Sequence, residues 1–138
     1  MQALYTATAT ASGAGRAGHV ESSDGVLTLD LSVPTGLGGA GGAGTNPEQL
    51  FAAGYAACFH SALQVVARRE RVRIEGSTVT GAVSIGQVGA GFGLAVTLTV
   101  ALPGIERAEA EKLVATAHEV CPYSNATRGN IEVTLQVA

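Results

Sequence analysis

The chain has 138 residues, a formal charge of −3 and a pI near 5.5, a size that predicts one domain over residues 1–138. Its 8 Lys and Arg are spread along the sequence and form no basic stripe to neutralise phosphates, which argues against a nucleic-acid partner. Hydrophobic residues make up 46% and aromatics only 4%, without Trp, so the core must be built from Val, Leu, Ile and Ala.

Met1 to Ala11 carries neither a positive n-region nor a continuous apolar run, and nowhere do 18 apolar residues follow one another. The expectation is a soluble, cytoplasmic chain with no membrane partner. Gln2 to Ala11 alternates weakly and is read as a strand. It leads through a Gly-rich turn around Arg16 to a short stretch at His19 to Ser22, and Ser23-Asp24-Gly25 turns the chain again. Leu27, Leu29, Leu31 and Val33 alternate with polar residues, the period of a strand with one buried face. After the Gly36–Gly44 loop, Asn46 as N-cap, Pro47 at the first position and Glu48 in the first turn predict a helix to about Glu70. On it Phe51, Cys58 and Val65 lie seven apart, flanked by Tyr55 and Ala62, which places Cys58 on a buried stripe.

Val79, Val83 and Ile85 form one row of a strand, and Phe92 to Leu102 alternates in the next, the pair joined as a hairpin at Gly89–Gly91. A second helix begins near Arg107 with Ala110, Leu113, Val114 and Ala117 on one face; Cys121 continues that face and Pro122 marks the end. A turn at Ser124-Asn125 leads to a last alternating strand with Ile131, Val133, Leu135 and Val137. Strands, helix, hairpin, helix, strand make an α+β fold of antiparallel sheets backed by two main helices.

Gly36-Leu37-Gly38-Gly39-Ala40-Gly41 fits the dinucleotide pattern G-x-G-x-x-G, but six Gly in nine residues match almost any Gly spacing, and no second nucleotide-binding half fits in this length. His19, His60 and His118 have no metal-ligand spacing, so no metal and no bound cofactor is expected. His60, two residues past Cys58, points away from the sulfur. Cys58 and Cys121 are not expected to form a standing bridge in a reducing compartment; inert core thiols and catalytic thiols both remain. Both lie on the inward faces of helices that should pack together, and Arg16 could stabilise a thiolate.

Residues Thr45 to Phe59 (TNPEQLFAAGYAACF) and Val120 to Asn130 (VCPYSNATRGN) resemble the two signature blocks of the organic hydroperoxide resistance proteins, the Ohr branch of the OsmC/Ohr family, and the resemblance spans essentially the whole chain. It implies a thiol peroxidase in which Cys58 attacks, Arg16 and Glu48 assist, and Cys121 forms the disulfide. It further implies an intertwined homodimer, a dithiol co-substrate of lipoyl type and organic hydroperoxides as substrates. Phe51, Tyr55 and Val65 would line the substrate pocket. His60 departs from the family, where apolar residues are usual. Glu48 lies ten residues before Cys58, about 15 Å along a helix, so it reaches the sulfur only if Arg16 spans the gap, the helix breaks near Gly54, or a second copy supplies it, the route favoured here. A non-enzymatic hydrophobic carrier and a general disulfide reductase are the competing readings, the latter disfavoured by the wide Cys spacing.

Overall fold

Asn46 and Pro47 open the longest element. In the computed structural model, which describes residues 1–138, α1 runs unbroken from Pro47 to Glu70. The Asn46 Oδ1 accepts the Gln49 N–H at 2.8 Å and its carbonyl accepts that of Leu50, so the expected N-cap is in place. The chain divides into two compact units, Met1–Leu50 and Phe51–Ala138, with the boundary inside α1.

The first unit contains an antiparallel sheet of β1 (Ala9–Ser12), β2 (His19–Ser22) and β3 (Thr28–Asp30), in that order. Its strands are shorter than the sequence predicts. Gln2 to Thr8, read as part of the first strand, lies outside it, with Leu4 and Tyr5 exposed; weak alternation offers no apolar face to bury. Leu27 and Leu29 are also open to solvent, and only Leu31 is buried, bridging Thr45 beyond the end of β3. The predicted buried face of Leu27–Val33 therefore shrinks to one residue. The Gly36–Gly44 loop folds onto itself: the N–H groups of Gly38, Gly39 and Gly41 donate to the Thr35, Pro34 and Val33 carbonyls, which leaves them turned away from any phosphate.

The second unit holds the core. β4 (Thr78–Val88) and β5 (Gly91–Ala101) form the predicted hairpin, with Val88 opposite Gly91 across the turn. α2 (Arg107–Val120), α3 (Pro122–Thr127) and β6 (Glu132–Val137) follow. β6 pairs parallel to β5, so this sheet, order β4-β5-β6, is mixed; the two helices form the crossover that a parallel neighbour requires. Val96, Leu98 and Val100 of β5 pack with Tyr55, Phe59, Leu63 and Val66 of α1 and with Leu113, Val114 and Ala117 of α2.

Two local expectations change. Ser124-Asn125 is no turn, because Pro122, which cannot continue α2, starts α3 instead. The buried stripe of α1 runs through Tyr55, Phe59, Ala62, Leu63, Val66 and Ala67, rotated one position from Phe51–Cys58–Val65, so Cys58 sits at its edge. By length and mean hydropathy, 1.4 over 18 residues, α1 alone could cross a membrane; here 33% of that window is buried in the core.

Candidate functional site

The second unit brings two free thiols together. Cys58 is half-buried on α1, and Cys121, at the joint between α2 and α3, is fully buried; the Cys121 thiol points at the Cys58 sulfur at 3.7 Å. A disulfide requires about 2.05 Å, so this is the reduced pair. Burial pushes the Cys58 thiol pKa above its ordinary value, the backbone N–H of Tyr123 works the other way, and the neighbouring Cys121 thiol raises it again.

An aromatic group surrounds the turn of α1 before Cys58. Phe51, Tyr55 and Tyr123 have ring centroids 5.6–6.2 Å apart. Tyr123 lies over Gly54, where an added Cβ would come within 3.0 Å of the tyrosine oxygen. Phe51 and Val65 are half-buried, while Tyr55 is fully enclosed with its hydroxyl bonded to Ser124 and Thr127. Tyr123, Ser124, Thr127 and His118 are missing from the sequence-derived site. Ser124 and Thr127, three apart in a supposed turn, become a buried face only once α3 is recognised as a helix. His60 bonds Ser77 at 2.9 Å and takes no part around the sulfurs.

The first unit brings together the other predicted pair. Arg16 lies in a one-turn 3-10 segment bounded by Gly15, with φ of 60°, and Gly18, where a Cβ would stand 2.1 Å from the Ser12 carbonyl oxygen. Its guanidinium donates both forks to Glu48, Nη1 to Oε2 at 2.9 Å and Nη2 to Oε1 at 2.8 Å. The Glu48 side chain is 13% exposed and that of Arg16 is 41% exposed. The hydrogen bonds from Arg16 hold the Glu48 carboxyl below its ordinary pKa, outweighing burial, and the same contact raises Arg16. Both are charged at neutral pH. No three His, Cys, Asp or Glu side chains gather as a metal site.

The structure thus defines an α+β protein that presents an adjacent pair of unequal thiols and a fixed, charged arginine fork. The family model for OsmC-like proteins matches residues 39–136. An organic hydroperoxide resistance protein of Xanthomonas axonopodis pv. citri is 57% identical over 136 residues, covering 98% of this chain and 95% of that one. Among solved structures, an organic hydroperoxide resistance protein of Legionella pneumophila superposes with a TM-score of 0.93 at 55% identity, covering 99% of both chains. OhrB of Bacillus subtilis gives 0.91 at 51% identity, covering 99% of this chain and 100% of its own. The chain belongs to the OsmC/Ohr family, on its organic hydroperoxide resistance branch.

Proposed function

We propose that this chain is a two-cysteine peroxidase that reduces organic hydroperoxides to alcohols and protects against oxidative stress. The asymmetry of the thiol pair carries this reading: Cys58 reaches solvent, while Cys121 is enclosed 3.7 Å behind it. A peroxide meets Cys58 first. The Cys58 thiolate attacks the terminal oxygen, the O–O bond breaks, the departing alkoxide takes a proton to become the alcohol, and Cys58 is left as a sulfenic acid. Cys121 then displaces its hydroxyl as water, forming the disulfide, and a dithiol, of lipoyl type by family resemblance, restores both thiols.

Because burial favours the neutral Cys58 thiol, the attack needs a cation, and we assign that role to Arg16, its planar fork held by Glu48. Half-buried Phe51 and Val65, with the exposed part of Tyr123 and with Tyr55 behind them, offer apolar surface worth about 25 cal/mol per Å² to an alkyl or aryl substituent. Hydrogen peroxide has no such substituent. In this reading the whole chain acts as one peroxidase domain and works as a homodimer, which would cover the exposed Leu4, Tyr5 and Val26 of the first unit and Val88 and Phe92 of the second.

A peroxide challenge of the purified protein with thiol titration tests the reading. Wild type should lose both thiols to cumene hydroperoxide far faster than to hydrogen peroxide, and Cys58→Ser should keep its one remaining thiol, Cys121. A carrier with inert thiols would show no fast loss in either protein. The unbroken α1 removes a break at Gly54 from the ways in which Glu48 could serve Cys58. Mixed dimers of Cys58→Ser and Glu48→Ala subunits separate the other two: regained activity assigns Glu48 to the second copy, and none assigns it to the same chain.

A further inference from the structure

A polar cluster lies buried in the aliphatic second unit, and none of its polar atoms enters the proposed chemistry. The Tyr55 hydroxyl on α1 is 2.9 Å from Ser124 Oγ and 3.0 Å from Thr127 Oγ1, both on α3. Ser124 Oγ is also 2.8 Å from His118 Nδ1 on α2. Thr127 Oγ1 donates to the Ser124 carbonyl at 3.2 Å, and that bond orders the rest. With its only proton spent, Thr127 accepts from Tyr55; Tyr55 then accepts from Ser124, and Ser124 accepts from the N–H at His118 Nδ1. Each hydroxyl donates once and accepts once, and no buried side-chain nitrogen or oxygen is left without a partner.

Phe, Ala and Val in these places would fill the same space without desolvating hydroxyls. What they could not supply is direction. A fully satisfied network fixes α3 both along and around its axis relative to α1, where apolar contact alone tolerates sliding. The elements so joined carry the two thiols: Tyr55 is three residues before Cys58, about one turn of α1, and α3 begins at the residue after Cys121. Cys121 is itself tied on both sides, its N–H to the Ala117 carbonyl at 2.9 Å and its carbonyl to the Asn125 N–H at 3.0 Å. The sulfurs must still close by roughly 1.6 Å to bond.

We propose that Tyr55, through its hydroxyl, is a positioning residue for the disulfide-forming step, holding α3 in the register from which Cys121 reaches the sulfenic sulfur of Cys58. The inference rests on the peroxidase reading above. In this step the sulfur–sulfur bond forms and the sulfur–oxygen bond of Cys58 breaks. The hydroxyl leaves with the Cys121 proton as water, so Cys121 sulfur is oxidised as Cys58 sulfur is reduced. A second peroxide competes for the same sulfenic acid and drives it to sulfinic acid, so positioning sets how the two outcomes divide.

The test compares wild type, Tyr55→Phe, Thr127→Val and the conservative Thr127→Ser as full-length proteins, their folding checked by thermal melting. Reduced protein is treated with increasing cumene hydroperoxide, and disulfide and sulfinic acid are quantified by mass spectrometry. Thr127→Val should keep the first oxidation within about twofold of wild type, and both Thr127→Val and Tyr55→Phe should form the disulfide about tenfold more slowly, the effect of one buried hydrogen bond. The peroxide concentration giving half sulfinic acid should fall in proportion, and Thr127→Ser should match wild type. An unchanged partition in either folded variant, or equal slowing of both steps, overturns the inference. If neither folds, Ser124→Ala takes their place under the same criteria. If wild type itself shows no peroxide-dependent thiol loss, the peroxidase reading fails instead; diamide-driven closure of the Cys58–Cys121 disulfide then tests positioning alone, with equal rates in wild type and Tyr55→Phe counting against it.

Discussion

The two compact units of this chain are stabilised by different means. Of the buried hydrophobic residues, Leu31 alone belongs to Met1–Leu50, and every other one belongs to Phe51–Ala138. The first unit is held by backbone pairing and by polar contacts such as Arg16–Glu48, His19–Asp30 and Ser22–Asp24. Fifty residues with one buried apolar side chain gain little from apolar burial to set against their conformational entropy. The second unit supplies its own core and keeps its thiols within it. One region thus presents a charge pair on a frame of backbone pairing, and the other keeps two thiols against an apolar core.

The strongest way to break this comparison is at the sulfurs. Cys58→Ser should abolish peroxide reduction. Cys121→Ser should keep the first oxidation and then accumulate sulfenic or sulfinic Cys58, visible by mass spectrometry as one or two added oxygens; equal loss in both variants would erase the division of roles. Next comes the charge pair. Arg16→Ala should lower kcat/KM for cumene hydroperoxide about a hundredfold, and Arg16→Lys should not restore it, because an ammonium lacks the planar fork.

The pH dependence follows from the directions of the shifts. A thiol whose pKa is raised by burial is less ionised at pH 7 than a free cysteine, so alkylation of Cys58 by iodoacetamide in Arg16→Ala should climb only above about pH 8.5. If Arg16 supports the thiolate as proposed, wild type should climb earlier. Superimposable profiles would disconnect Arg16 from the thiol. Glu48, whose pKa is depressed, keeps its charge below the pH at which an ordinary carboxylate is half protonated, and the stability it contributes is lost only as pH falls below about 4.3.

Stability separates the regions further. Leu98→Ala, fully buried in β5, should cost about 3 kcal/mol in urea unfolding, whereas Leu29→Ala, 38% exposed in β3, should cost under about 1 kcal/mol. Similar losses would place both residues in one core. The smallest effect is expected at Arg71, which holds φ of 58° just past the end of α1, where the Val72 N–H closes on the Ala67 carbonyl. Arg71→Gly should relieve about 1 kcal/mol and raise the melting midpoint by a few degrees without changing peroxide kinetics.

The sequence by itself determined most of the second unit. Strong alternation in Phe92–Leu102 and Ile131–Val137, and the Asn46-Pro47-Glu48 start, at the end of the first unit, of the helix that runs on into the second, are local signals whose energetics need no distant partner, and each element stands where they place it. The two signature blocks identified the family for the same reason: they are continuous in the chain. Weak signals failed where tertiary cover decides. Gln2–Thr8 alternates too feebly to earn a place in β1, and the parallel pairing of β6 depends on how α2 and α3 cross the sheet, which no residue of β6 encodes. Only the tertiary structure could rotate the buried stripe of α1 and leave Cys58 at its edge, since a half-turn of exposure is set by the elements packed around a helix. Ser124 and Thr127 likewise meet Tyr55 across 69 and 72 positions of chain, and His118 joins them through Ser124. A hydrogen bond between residues so far apart exists only after the core has brought their helices together.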